Sequence, residues 1–249
     1  MRVIHIAGVS GSGKTTFIRA LLPLLNKKGT TAVVKHLAHH HYILESDKDT
    51  THFFHGGTLA SAGADPEKTV LVLRDTALSH IMSILSSIGT KYMLIEGWKT
   101  LPFPKITIGA LPGAEGVVLS DPTAELVLES LEKFPHYHSL QGLSLEVQDS
   151  DQQGVLLAGK FPVHAKGDDT DSRREFYLRF SPILDEITRE AGSSPGDVRV
   201  GLHLHQGLLF GGEDAILMAV GSQSPHTAIR VFSSIQERLF PVAGGGKIS

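Results

Sequence analysis

The chain has 249 residues, 41% hydrophobic and 20% charged, with a formal net charge of −3. That is enough for one large or two small globular domains, and the near balance of charge excludes a protein held to nucleic acid or an anionic membrane by bulk charge. The absence of cysteine excludes disulfides, thiolate metal sites and a thiol nucleophile.

The first residues, Met1 to Ile6, are too short and polar for a signal peptide. No apolar run reaches the roughly 18 residues of a membrane-spanning helix, so a cytoplasmic protein with no membrane partner is expected. In chain order, Val3–Ala7 reads as a short buried strand ended by Gly8. Phe17, Ile18, Leu21, Leu22 and Leu25 follow at helical spacing over Lys14–Asn26, and Gly29 marks the stop. Thr31–Lys35, Val70–Leu73, Tyr92–Ile95, Ile106–Ile108 and Gly116–Leu119 read as strands, and Ala77–Ile88 as a helix. Pro122–Phe134 reads as another helix, with Asp121 as its N-cap and Pro122 at its first position. Strands alternating with helices at this spacing predict an α/β fold with a mostly parallel sheet covered on both faces.

Beyond residue 140 the pattern changes. Leu140–Gln148 and Gly154–Gly159 read as strands, Lys166–Arg174 as a charged loop, and Pro182–Glu190 as a helix. Val198–His205 and Ala215–Val220 read as a strand pair, with Glu213 in the turn between them and Ala228–Leu239 as a last helix. Clustered strands with a few helices predict a smaller α+β domain. The boundary is expected in 136–146, giving domains 1–140 and 141–249. His203 and His205 are expected on the outer face of an exposed strand.

Gly8-Val9-Ser10-Gly11-Ser12-Gly13-Lys14-Thr15 satisfies G-x-x-x-x-G-K-S/T, with an apolar strand before it and a helical pattern after it. Glycines let backbone N–H groups converge on phosphate oxygens, and a helix N-terminus adds the positive end of its dipole. Gly8, Ser10, Gly11, Ser12, Gly13, Lys14, Thr15 and Thr16 are therefore candidate nucleotide-binding residues. Lys14 would reach the β/γ-phosphates, and the Thr15 hydroxyl would ligate magnesium. Glu96, at the end of the Tyr92–Ile95 strand, is a candidate catalytic and magnesium-directed carboxylate. Asp49 is a second candidate carboxylate. Lys35 and His36 end the second strand, and His39, His40 and His41 follow. These histidines suit an anionic ligand, a metal or a solvated loop; their place at the ligand-binding end of a parallel sheet favours ligand contact.

The phosphate loop, Lys35-His36-x-x-His39-His40, Asp47-Lys48-Asp49-Thr50, Gly63-Ala64 and Ile95-Glu96-Gly97-Trp98-Lys99 occur in that order. Together they resemble MobB, a family of GTP-binding adaptors in molybdopterin-guanine dinucleotide biosynthesis, over roughly residues 1–135. The resemblance implies GTP with Mg2+, weak GTP hydrolysis, a homodimer and cooperation with a MobA-like guanylyltransferase. No Asn/Thr-Lys-x-Asp guanine-reading motif is visible, so guanine specificity rests on the resemblance.

Residues 142–249 resemble MoaE, the large subunit of molybdopterin synthase. The similarity lies in Gly154–Lys160, Val200–Gly207, Glu213 and the Ala219–His226 run. It implies sulfur transfer from a MoaD-like small subunit to the cyclic precursor of molybdopterin. His226 and Lys247 fall on basic residues of that family, whereas Thr227 and Phe240 stand where it has Arg and Lys. Gly159-Lys160-Phe161-Pro162 lacks the Arg of the family's Gly-x-Val-Arg segment; Lys160, Lys166, Arg173 or Arg174 could substitute. His226 and Lys247 are thus candidate catalytic residues. Two other readings stay open. One is a P-loop small-molecule kinase using Asp49 or Glu96 as base. The other is an adaptor whose second domain is a non-catalytic pterin-binding scaffold.

Overall fold

A computed structural model describes residues 1–37, 41–148, 154–163, 181–190, 198–210 and 213–240. The expected loop at 166–174, His39, His40 and Lys247 lie outside the described residues. Five parallel strands form the main sheet: β1 (Arg2–Ala7), β2 (Thr31–Lys35), β5 (Tyr92–Glu96), β6 (Lys105–Thr107) and β7 (Val117–Ser120). Their order is β2-β5-β1-β6-β7. β1 is central and buried along nearly its whole length, as a strand covered on both faces must be. Its side chains alternate between two cores. Ile4 and Ile6, with Leu94 of β5 and Ile106 of β6, meet α1 (Lys14–Asn26) and α4 (Ala124–Glu129). Val3, with Met93 and Ile95, meets Met82 of α3 (Leu78–Ser87). From β1 the chain runs to β2 on one side, and from β5 it crosses to β6 on the other. The carboxyl end of β1 is thus the switch point where an open α/β sheet binds ligands.

Between β2 and α3 lie α2 (Asp49–His55) and a separate antiparallel hairpin of β3 (Ala60–Ala64) and β4 (Thr69–Leu73). The expected strand at 70–73 exists, but it pairs with β3 and not with the main sheet. Neither α2 nor β3 carries an apolar periodicity that announces it. The helix expected over 122–134 is shorter: α4 is followed by a 3-10 turn at Leu131–Lys133. Its cap is Thr123, whose hydroxyl accepts from the Leu126 N–H at 3.2 Å. Asp121 does not cap it; with φ +44° it turns back and accepts from the Gly109 N–H at 2.7 Å.

The segment 140–148, expected as a strand, is a helix, α5 (Leu140–Val147). Ser139 caps it, accepting from the Gly142 N–H at 2.9 Å. Leu143 and Val147 lie four residues apart on the buried face while Leu145 is exposed, so the 3.6 period prevailed over the apparent alternation.

α5 packs on a three-stranded antiparallel sheet of β8 (Val155–Pro162), β10 (Ala215–Ser222) and β9 (Val198–His205), in that order. The ladder register puts Ile216, Met218 and Val220 on one face. There they form a core with α8 (Pro225–Leu239) and with residues 181–190, which are helical (α6). Leu217 and Ala219 face α5 through Leu143 and Val147. The expected β9/β10 pair is present, although α7 (Gly207–Phe210) occupies much of the connection expected as a simple turn.

His203 and His205 lie on the α5 side of β9, and the expectation of an exposed outer face is wrong. The His203 ring lies 4.3 Å from that of His138, and His205 lies 5.5 Å from Tyr137. Phe210 fills the adjoining space, 4.9 Å from Tyr137 and 5.5 Å from Phe103, and so joins the core beneath the main sheet. A single strand cannot show from sequence which of its faces another element will cover.

Burial lowers the His138 pKa to about 3 and that of His203 well below the ordinary histidine value; among the described residues the His203 Nε2 has no hydrogen-bond partner. His5, under the main sheet, is lowered to about 4 by the same cause. These rings are neutral when folded and take up protons near pH 6.5 when unfolded. They contribute no pH dependence above that value, and stability is lost as pH falls from about 6.5 toward 4. The melting temperature should therefore be lower at pH 5 than at pH 7. His203→Leu, which removes the unpartnered nitrogen, should shrink that difference in parallel thermal melts.

Candidate phosphate-binding site

The loop between β1 and α1 takes its shape from its glycines. Gly11 and Gly13 have φ of +75° and +92°, which side-chain-bearing residues rarely adopt. At Gly8 the constraint is space: a Cβ there would lie 2.4 Å from the Ile108 carbonyl oxygen and 2.7 Å from Ser12 Oγ. Gly13 is also the N-cap of α1 and supplies no side-chain cap, so the N–H groups of the first turn are left for another acceptor. Ser12 Oγ is buried and, among the described residues, has no hydrogen-bond partner. A loop with uncapped donors and an orphaned buried hydroxyl fits a phosphate chain.

Lys14 folds back over this loop and donates to the carbonyls of Val9 at 2.6 Å and Gly8 at 3.1 Å. Burial lowers its pKa from the ordinary lysine value; Glu96 opposes that shift, and Lys99 and Lys35 add to it. Thr15 Oγ1 donates to the Glu96 carboxylate at 3.3 and 3.4 Å. Glu96 is only 8% exposed and also pairs with Lys35, its Oε1 3.2 Å from the Lys35 Nζ. Lys14, Thr15, Glu96 and Lys35 are therefore one cluster at the switch point. Ser10 and Thr16 are exposed on the same loop and on the first turn of α1.

The hydroxyl of Thr15 beside a buried carboxylate is a hard-oxygen donor pair of the kind magnesium takes. His36 donates its backbone N–H to the Glu96 carbonyl at 2.9 Å. Its ring stacks on Trp98, with centroids 4.5 Å apart and planes at 13°. Asp49 opens α2, which packs on β3 through a bond from Ser61 Oγ to the Thr50 carbonyl at 2.7 Å. Among the described residues no hydrogen bond or ion pair links the Asp49 side chain to the loop. Among them, too, no group of three or more His, Asp or Glu side chains is placed to hold a metal; His39 and His40 lie outside the described residues.

Three residues also shape this site: Trp98 and Lys99, which stand in the Ile95–Lys99 run without a role of their own assigned to them, and Lys105, which the sequence did not single out. Lys99 is close enough to act on the Lys14 charge. Trp98 carries a positive φ of 42°. Lys105 is the first residue of β6 and is buried. Its signal in the sequence was a cation leading the Lys-Ile-Thr-Ile run.

In the second half, His226 is exposed in the first turn of α8, beside the Ser224 cap. Lys160 is exposed on β8 opposite Leu217, whereas α8 follows the Ser222 end of β10. Five residues of ladder separate Leu217 from Ser222, roughly 17 Å at strand rise. Lys160 and His226 therefore lie toward opposite ends of β10. Phe240 packs into the apolar core, its ring 5.6 Å from that of Phe161.

Gly8→Ala should leave the melting temperature of the folded chain within a few degrees but reshape the loop. Loss of even one charge-assisted phosphate bond, about 1.5–3 kcal/mol, should lower nucleotide affinity at least ~10-fold in calorimetric titration.

The family model described as "Molybdopterin guanine dinucleotide synthesis protein B" matches residues 3–128. A putative molybdopterin-guanine dinucleotide biosynthesis adapter protein of Methanocaldococcus jannaschii is 32% identical over 133 residues, covering 52% of this chain and 55% of that protein. A probable adapter protein of the same description from Bacillus subtilis is 31% identical over 116 residues, covering 43% of this chain and 64% of that protein. The chain thus spans less than two thirds of the length of these relatives. Among solved structures, Bacillus subtilis MobB aligns with 55% of this chain and 100% of its own, at 19% identity and a TM-score of 0.44. The match over residues 3–128, on a chain whose phosphate loop and Glu96 meet at the switch point of a parallel sheet, establishes that the chain belongs to the MobB family.

Proposed function

We propose that residues 1–140 form a GTP-binding adaptor unit of molybdopterin-guanine dinucleotide biosynthesis. The observation that carries this is the meeting of Lys14, Thr15 and Glu96 at the end of β1. In this reading the loop from Gly8 to Thr16 holds the phosphates of GTP, and Lys14 exchanges its own-loop carbonyls for β/γ-phosphate oxygens. Mg2+, held by Thr15 and directed by Glu96, would neutralise phosphate charge. Glu96 supports weak hydrolysis, and Lys35 balances its charge. GTP as the nucleotide, a MobA-like guanylyltransferase as partner and a homodimeric state come from the family. Lys14→Ala should weaken GTP binding about 10–150-fold, the range of one lost charge-assisted bond; unchanged calorimetric affinity would refute the assignment. Glu96→Gln should lower Mg2+-dependent hydrolysis more than it lowers binding, measured as phosphate release beside titration. Transfer of phosphate to a hydroxyl compound in place of release would instead mark a kinase.

For residues 141–249 we propose a MoaE-like unit that engages molybdopterin or its cyclic precursor. One observation favours a scaffold over a sulfur-transfer enzyme. Phe240, where the MoaE pattern has lysine, is part of the apolar core, and Lys160 and His226 stand at different ends of the sheet. If catalysis survives, His226 and Lys247 would carry it, with a MoaD-like subunit as sulfur donor. Wild type mixed with precursor and thiocarboxylated small subunit should then yield no molybdopterin on the scaffold reading. On the catalytic reading it yields product, and Lys247→Ala lowers the rate by ~100-fold, the scale of losing a positioned electrostatic group.

A further inference from the structure

Directly after Glu96 the chain makes a loop, Gly97–Pro104, before β6. Gly97 has φ +101°, and Trp98, a bulky residue, has φ +42°. A residue of that kind held in the left-handed region is an outlier that persists only where its surroundings fix it. A Cβ at Gly97 would lie 2.8 Å from the Cβ of His36, so close approach of the loop to β2's end also requires the glycine. The loop presents Trp98 to the His36 ring and brings the Lys99 charge toward Lys14.

Two side chains hold the loop from beneath, and neither belongs to the phosphate cluster. His5, on β1, is fully buried; its Nε2 lies 2.6 Å from the Gly97 carbonyl and must donate to it, since a carbonyl only accepts. Its Nδ1 is buried without a partner among the described residues. Lys105, at the start of β6, is 2% exposed and donates to the carbonyls of Lys99 at 3.0 Å and Leu101 at 2.8 Å. No carboxylate among the described residues forms an ion pair with it; the Glu115 charge acts on it from further away and only partly offsets its burial. Burying an ammonium against neutral carbonyls is costly, and an apolar side chain of like length would fill the same space without that cost. The ammonium adds a fixed position for two carbonyls. The histidine does the same for a third.

We propose that His5 and Lys105 are positioning residues that hold the Gly97–Leu101 loop in its strained form at the mouth of the phosphate site. They act through the loop: they keep Trp98 stacked on His36 and Lys99 near Lys14, and touch no nucleotide themselves. The consequence for catalysis rests on the reading of the site as a GTP-binding centre; the claim about the loop does not.

Trp98 is the only tryptophan of the chain, so its fluorescence reports this loop alone. In the full-length protein, Lys105→Met should raise acrylamide quenching of Trp98 at least 2-fold and shift its emission to the red, with the melting temperature within a few degrees of wild type. His5→Leu should do the same. His5→Gln, which keeps an N–H donor, should stay near wild type. With Mg2+ and GTP, Lys105→Met should change affinity less than 3-fold while lowering the hydrolysis rate by ~10-fold, because misplacement costs rate more than binding. Unchanged quenching in folded Lys105→Met would overturn the proposal, as would equal behaviour of His5→Gln and His5→Leu. A parallel loss of affinity and rate would also do so, by showing general destabilisation. Should Lys105→Met fail to fold, the Gln and Leu variants at His5 decide. A wild type that neither binds nor hydrolyses GTP would refute the nucleotide reading, and the quenching comparison would still decide the anchoring.

Discussion

A buried carboxylate at the end of a central parallel strand sets the requirements that the rest of the site meets. Glu96 is out of water, and a buried carboxylate needs partners. Thr15 from the head of α1 and Lys35 from the end of β2 supply them. Both reach it because parallel pairing puts the carboxyl ends of β1, β2 and β5 side by side, with Ile6 opposite Glu96 on one edge of β5 and Lys35 opposite it on the other. The phosphate loop, the second strand and the Glu96 strand are thereby tied to one atom group. A divalent cation would replace one neutralising contact with another and would not need to assemble the site.

Beneath that group the protein uses neutral and cationic polar side chains where an ordinary core would use apolar ones. His5, its ring against Phe103, is the ladder partner of Lys105, and each is bonded to a carbonyl of the loop beyond Glu96. The cost of their desolvation is carried by the large apolar core of the five-stranded sheet. Strain at Trp98 is local, and the core that over-determines it is not.

The second half of the chain is joined to the first through aromatic rings. Tyr137 donates its backbone N–H to the Met1 carbonyl at 2.7 Å, and Val3 donates to Pro135 at 2.9 Å, so the segment after α4 runs antiparallel to the start of β1. That segment then offers His138 and Tyr137 to His203, His205 and Phe210. Because the rings of His138 and His203 are desolvated there, the joint is strongest when they are neutral. α5 continues from this joint onto the antiparallel sheet, which makes it the structural bridge between the two halves.

Much of the N-terminal half was legible in the sequence, since its signals are local. An apolar run ending in glycine, a phosphate loop of fixed spacing and a helical apolar stripe each specify themselves within a dozen residues, and Glu96 followed from its place at a strand end. What the sequence could not determine depends on partners far away in the chain. Leu140–Val147 could be read with period 2 or 3.6, and only the flat face of Leu217 and Ala219 selected the helix. Val70–Leu73 is strand-forming in any context, yet its neighbour is β3 and not the main sheet. Glu96 and, second to it, Asp49 were acidic candidates, and the order of strands brings Glu96 to Thr15. His5, Lys105 and His203 were single letters in apolar runs. Their roles appeared only when tertiary packing removed water from them and set His5 and Lys105 against backbone carbonyls.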